Sequence, residues 1–276
     1  MKFTIYLFAF ILLSSFDAGP SYDAIGEFDI YRTNWALVQQ DGLLGFINDK
    51  GEEVVSPQYS SIDMFDIYRT NWALVQQDGL LGFINDKGEE VVSPQYSSID
   101  MFDIYRTNWA LVEQDGLLGF INDKGEEVVS PQYSSIDMFD IYRTNWALVE
   151  QDGLLGFIND KGEEVVSPQY ESIDMFGIYR TNWALVEQDG LLGFINDKGE
   201  EVVSPQYSSI DMFDIYRTNW ALVEQDGLLG FINDKGEEVV SPQYESIDMF
   251  GIEKDGWAKV KKDGKVTFIN SKGQEI

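Results

Sequence analysis

The chain of 276 residues contains no cysteine and no histidine. Without cysteine no disulfide can form, so stability rests on burial and hydrogen bonds even in an oxidising compartment. Without either residue, zinc sites of the Cys/His type and Ser-His-Asp or Cys-His catalysis are excluded. Cations are also scarce: 19 Lys and Arg stand against 48 Asp and Glu, a formal net charge of −29. Such a surface repels nucleic acid and anionic membranes and favours solubility. Cationic partners or weakly held divalent ions suit it, although a plain solvated surface is the simpler reading.

What is present is ample material for a core. Hydrophobic residues make up 44% of the chain and aromatics 14%, well outside the range of disordered polymers. The one long apolar run is at the N-terminus. Lys2 precedes Phe3 to Phe16, a stretch too short to span a bilayer comfortably and followed by no stop-transfer run. Residues 1–19 are therefore read as an export signal, with small residues Ser14, Ser15, Ala18 and Gly19 near the cut. The alternative is an uncleaved membrane anchor. Residues 20–276 are read as one repeat array. Export then implies a secreted or extracytoplasmic protein.

The array is written in a fixed period. Trp35, Trp72, Trp109, Trp146, Trp183, Trp220 and Trp257 follow one another at 37-residue intervals, and a fixed period decides architecture before any other signal. Within a repeat, "WALVQQ" is followed by Asp41-Gly42, a two-residue hairpin turn. "LLGFI" comes next, then a turn at Asn48 to Gly51, then "EEVVS", which is expected to stop at Pro57 because proline cannot donate to a ladder. A fourth short strand is expected around Ser61 to Phe65, leading into "DIYRTN". Asp66 becomes Gly177 and Gly251 in other copies, and Asn71 becomes Gly256. Asp, Asn and Gly share a tolerance for left-handed backbone, so these positions predict turns and no helix between Gln58 and Asp78.

The strands are apolar on both faces. Trp35 and Leu37 point one way, Ala36 and Val38 the other; Leu43 and Ile47 oppose Leu44 and Phe46. A sheet apolar on both faces must lie between two others. The expected fold is all-β: seven 37-residue β-meander repeats forming a closed seven-bladed β-propeller, with an open β-solenoid as the alternative. The chain enters the array late in a repeat, since Tyr22 to Phe28 aligns with Tyr59 to Phe65, and leaves early in the third strand of the last. An N-terminal strand that completes the last repeat is the latch this pattern suggests.

These letters resemble the WG (KWG) repeat family. Ala36 and Val38 match its first strand, Gly42, Gly45, Phe46 and Ile47 its central motif, and Gly51, Val54, Val55, Pro57 and Tyr59 the remainder. The resemblance runs from Tyr22 to Ile276. It departs at Leu44, where the family has the tryptophan of its Trp-Gly pair, and at "RTN", where the family has a glycine turn. The resemblance implies an all-β repeat protein, often exported, that serves as a binding or scaffold surface. It implies no established reaction.

Candidate chemistry is thin. Glu52, Glu53 and Asp63 recur in most repeats, but an active site needs unlike groups converging once, so they are read as solvated surface. "NDKGEE" clusters oxygen ligands without the spacing of a calcium loop and is read as a simple turn. No cofactor is implied, beyond weak binding of divalent cations. Trp35 and its equivalents, which could stack on sugars, are read as core, and Tyr59 as structural. The candidate ligand-binding residues are the Tyr-Arg pairs of the "DIYRTN" turn: Tyr31-Arg32, Tyr68-Arg69, Tyr105-Arg106, Tyr142-Arg143, Tyr179-Arg180 and Tyr216-Arg217. Both types are enriched at interfaces. The competing and favoured reading has Arg69 neutralising Asp66 or another nearby acid.

The expected function is that of a non-enzymatic, monomeric chain offering a multivalent surface to a protein or glycan partner. A structural or adhesive surface component is the alternative, and a hydrolase the least supported one.

Overall fold

The structure, a computed structural model, describes residues 21–180 and 182–276; the expected signal, residues 1–19, lies outside the described residues. Every regular element described is a β-strand. The strands form seven antiparallel sheets, six of four strands and one of three. The chain divides into two compact parts, the second beginning at Ser134. The first contains three of the sheets and the second four.

The first sheet comprises β1 (Ala24–Phe28), β2 (Trp35–Gln40), β3 (Leu43–Asn48) and β4 (Glu53–Tyr59), in that spatial order. The second comprises β5 (Ser61–Ile62), β6 (Trp72–Gln77), β7 (Leu80–Asn85) and β8 (Glu90–Tyr96). The turn chemistry is as the residues dictate. Asp41 and Gly42 both take positive φ, 53° and 81°, as a tight hairpin of this twist requires. Asp66 (φ 69°), Asn71 (65°), Gly177 (90°), Gly251 (84°) and Gly256 (72°) are all left-handed, which is why these positions exchange only Asp, Asn and Gly.

Three features differ from expectation. The strand after the Asn48 turn does not stop at Pro57 but runs to Tyr59. Leu44 pairs with Tyr59 and Phe46 with Val55, so the ladder bulges around Ser56, Pro57 and Gln58, and a bulge is where a sheet accepts proline. The short fourth strand belongs to the following sheet, where Ile62 pairs with Val75. The N-terminal strand likewise completes the first sheet and not the last. It pairs with the strand directly after it, Ile25 opposite Val38, because a short connecting loop makes the local partner the cheapest to reach. The last sheet has three strands, Ser246–Ile247, Trp257–Lys262 and Lys265–Asn270.

Both faces of the first sheet are used, as the sequence pattern requires. Leu37 lies opposite Phe46 on one face, and Ala36 opposite Ile47 on the other. The core is built between consecutive sheets: Phe46, Val55 and Tyr59 of the first pack against Ile62, Phe65, Ala73, Val75 and Ile84 of the second. The same set recurs between the second and third sheets, with Phe83, Val92 and Tyr96 against Ile99, Phe102, Ala110, Val112 and Ile121. Leu43 is the exception to the two-faced reading; it sits at the hairpin end and is exposed.

Candidate functional site at the loop end of the repeats

Register places the loops. Trp35 pairs with Asn48, so the loop before β2 and the turn after β3 lie at one end of the sheet. The Asp41-Gly42 hairpin lies at the other. The candidate Tyr-Arg pairs are therefore at the loop end.

Two internal hydrogen-bond sets shape that end. The Asp66 carboxylate accepts from the Asn71 backbone N–H, and the Trp72 N–H donates to the Arg69 carbonyl at 3.0 Å. In the turn, Asn48 Oδ1 accepts from the Lys50 and Glu52 N–H groups at 2.9 and 3.0 Å, while its side-chain amide donates to Glu52 at 2.8 Å. The oxygens of "NDKGEE" thus serve the turn itself. Among the described residues no group of three or more acidic side chains is placed to hold a metal ion.

The tyrosine of each pair packs on its own sheet, and within each part of the chain Arg32, Arg69, Arg143 and Arg180 reach the next. Tyr31 meets the Phe46 ring edge-on at 5.3 Å and Tyr68 meets Phe83 at 5.8 Å; Tyr105, Tyr142, Tyr179 and Tyr216 meet Phe120, Phe157, Phe194 and Phe231 in the same way. Arg32 lies 5.1 Å above Phe65, ion-pairs with Asp86 at 2.9 Å and donates to Asn71 at 3.3 Å. Arg69 lies over Phe102 and pairs with Asp123 at 2.7 Å. Arg143 and Arg180 repeat this with Phe176 and Asp197, and with Phe213 and Asp234. Arg106 is half-buried at the equivalent position. Arg217 lies over Trp220 and Phe250, and the residue at the place of the acid is Ser271. The neutralising acid is thus the turn aspartate of the next repeat. The loop acid Asp66 lies further off, 3.9 Å from Arg32.

Arg69→Gln is expected to destabilise the chain by about 0.2–1 kcal/mol, as for other partly exposed pairs. Added salt should shrink that difference. Arg217→Gln, at the position where serine replaces the acid, should show no comparable salt sensitivity when urea midpoints are measured.

Trp72, Tyr59 and Glu90 also have structural partners. Trp72 is 9% exposed and packs on Phe83 at 5.3 Å and Phe102 at 5.8 Å. Tyr59 is wholly buried as a residue, and its hydroxyl donates to Glu90 of the next repeat at 3.0 Å. Glu90 also accepts from Ser93, and Glu127, Glu201 and Glu238 accept from a tyrosine of the preceding sheet in the same way, so these glutamates are sheet-to-sheet acceptors where the sequence suggested only solvated surface. Burial and the neighbouring Glu90 push the Tyr59 pKa well above its usual 10, and burial and Glu53 push that of Tyr22 up to about 12. Burial raises Asp63, and burial with the Asp63 and Asp100 charges raises Tyr68.

A pH dependence follows. Tyr59 and Tyr96 hold their protons more tightly folded than unfolded, so their stabilisation is complete below pH 10 and declines above it. Urea midpoints should fall as the pH rises above that point, with the absorbance of these tyrosinates appearing only as the sheets unfold. Their titration at the ordinary tyrosine pKa in the intact fold would contradict this.

What remains open is a cleft. In the first part of the chain Asp29, Tyr31, Arg32, Thr33, Trp35 and Asp86 line a polar cavity of about 490 Å³. The loop residues of this cleft and the strands that carry them recur with the repeat. The model of the "WG containing repeat" family matches residues 45–80, 82–117, 119–154, 156–191, 193–228 and 230–265. The chain belongs to the WG-repeat family. Each WG-repeat match starts at the glycine of an "LLGFI" strand, at Gly45, Gly82 and their successors, so the family unit and the structural unit share one period.

No curated protein matches the chain. Solved structures similar to it include PorZ, a bacterial surface component of the type-IX secretion system of Porphyromonas gingivalis (9% identity, 91% of this chain and 37% of that one, TM-score 0.25). BamB from Moraxella catarrhalis (12% identity, 88% and 83%, TM-score 0.24) and AztD from Citrobacter koseri (13% identity, 94% and 86%, TM-score 0.26) are others. At such TM-scores these likenesses carry no argument about shape, ligand or partner.

Proposed function

We propose that this WG-repeat chain is a non-enzymatic, multivalent binding or scaffold surface, exported by its N-terminal segment and presenting the loop end of its repeats to a protein or glycan. The observation that carries this reading is the open cleft at Tyr31, Arg32 and Asp86, built from residue types that recur along the array. Copies of a weak site on one chain bind together far more tightly than one alone. Tyr31 and Arg32 line the cleft while Arg32 also ties its loop to the next. No helix of the described residues is long and apolar enough to cross a membrane.

The test replaces Tyr with Phe and Arg with Lys at all six pairs, which keeps ring packing and charge. Glycan-array and pull-down binding of the full chain should fall at a temperature where circular dichroism shows the variant still folded. Binding that is unchanged in the variant would refute the assignment of these residues.

A further inference from the structure

The Tyr-Arg cleft leaves one repeated feature unused. In "IDMFDI", Ile62 and Phe65 are buried, but Met64 and Ile67 stand 40% and 48% exposed. The next copy exposes Met101 and Ile104, and in the second part of the chain Met175 and Ile178 are exposed in the same way. A single exposed aliphatic side chain is ordinary. These are ordered in rows, because consecutive loops touch: Arg32 of one loop lies on Phe65 and hydrogen-bonds to Asn71 of the next. Sheets stacked face to face repeat at about 10 Å, so within each part of the chain the exposed Met and Ile side chains recur from loop to loop at about that spacing, an interrupted aliphatic ridge.

The ridge is bordered by acids. Asp63 and Asp66 flank Met64 in the chain, as Asp100 and Asp103 flank Met101. The arginines of four of these loops, Arg32, Arg69, Arg143 and Arg180, are engaged by turn aspartates. Arg32 sits at 2.9 Å from the turn aspartate Asp86 and only at 3.9 Å from Asp66, and Arg69 sits at 2.7 Å from Asp123. The ridge therefore joins uncovered apolar surface to a net negative border.

We infer that the ridge docks a cationic amphipathic polypeptide segment, with apolar side chains on Met64 and Ile67 and their equivalents and Lys or Arg on the flanking aspartates. Charge selects this occupant. A second copy of the chain brings the same −29, and nucleic acid or anionic lipid is repelled in the same way. A glycan would want exposed aromatic faces, but Trp72 and Phe83 are in the core. Methionine adapts its shape to varied apolar partners, and acidic borders speed encounter with a basic one. This inference rests on the reading of the loop end as a binding surface, but on different side chains from the cleft.

The test uses the full chain and two synthetic peptides of equal charge, one of Leu and Lys, the other of Ser and Lys, with binding read by fluorescence anisotropy. The Leu-Lys peptide should bind at least about tenfold more tightly, and high salt should weaken it. Replacing Met64, Met101, Met138, Met175, Met212 and Met249 with Gln should remove that advantage, as should Ile→Thr at position 67 and its equivalents. Equal affinity for the two peptides, or full affinity in both variants, overturns the inference. If the Tyr→Phe, Arg→Lys protein loses binding while the Met→Gln protein retains it, the ridge is wrong and the cleft stands.

Discussion

Phe83→Ala is expected to destabilise the protein by about 3–5 kcal/mol, the range for removing a fully buried ring. Phe83 is 0% exposed and lies at the join of two sheets. Its ring is 5.3 Å from Trp72 and 5.8 Å from Tyr68 on its own sheet, and 6.2 Å from Phe102 on the next. Its removal opens a cavity that β-strands cannot close without losing their ladder. In a repeat array each sheet is held chiefly by its neighbours, so the damage should be shared. Hydrogen exchange should show lost protection in β6 and in Trp109–Gln114 of the following sheet. Leu80→Ala, at an exposed hairpin position, is the control and should change stability by no more than about 0.5 kcal/mol. Equal effects of the two substitutions would refute the account of the core.

Gly82→Ala is expected to cost about 1–3 kcal/mol although it adds one methyl group. A Cβ at Gly82 would stand 2.4 Å from the Val92 carbonyl oxygen and 2.7 Å from the Pro94 nitrogen. Both are backbone atoms of the bulged strand, so neither can swing aside. Gly79 is the comparison. It has φ +84° and nothing within 4 Å of a Cβ, so Gly79→Ala carries only the strain of a left-handed alanine, about 1–2 kcal/mol. The two differ in kind. At position 79 asparagine, at ease in left-handed backbone, should recover much of the loss; at position 82 it should be worse than alanine. Urea denaturation of the four variants decides, and rescue by asparagine at 82 would sink the close-approach argument.

Much of the fold is legible in the letters because it is local. The 37-residue period, the hairpin at Asp41-Gly42 and the left-handed positions Asp66 and Asn71 follow from residue type and spacing. Two features are misread, and a third is left open, because their partners are not local. Proline at 57 suggests a strand end, but the segment is bulged against Gly45 and continues. The Ser61–Ile62 strand reads as the end of one repeat, yet its ladder partner lies in the next. Arg69 reads as neutralising Asp66 or another nearby acid, without saying which; its partner is Asp123, the turn aspartate of the next repeat. The exposed Met64 and Ile67 escape notice for a related reason. Alternation tells which residues of a strand share a face, but in a loop there is no such rule.

Residue type and spacing suffice for an all-β array of two-faced strands, for the turns between them and for membership of a repeat family. Those depend on backbone conformation and on the period-2 alternation of side chains, both written residue by residue. Three things needed the packed molecule: which sheet each short strand joins, which acid pairs with Arg32, Arg69, Arg143 and Arg180, and which apolar side chains remain in water. Each depends on how one sheet sits against the next, and identical repeats carry no letters that distinguish a partner within a repeat from one in its neighbour.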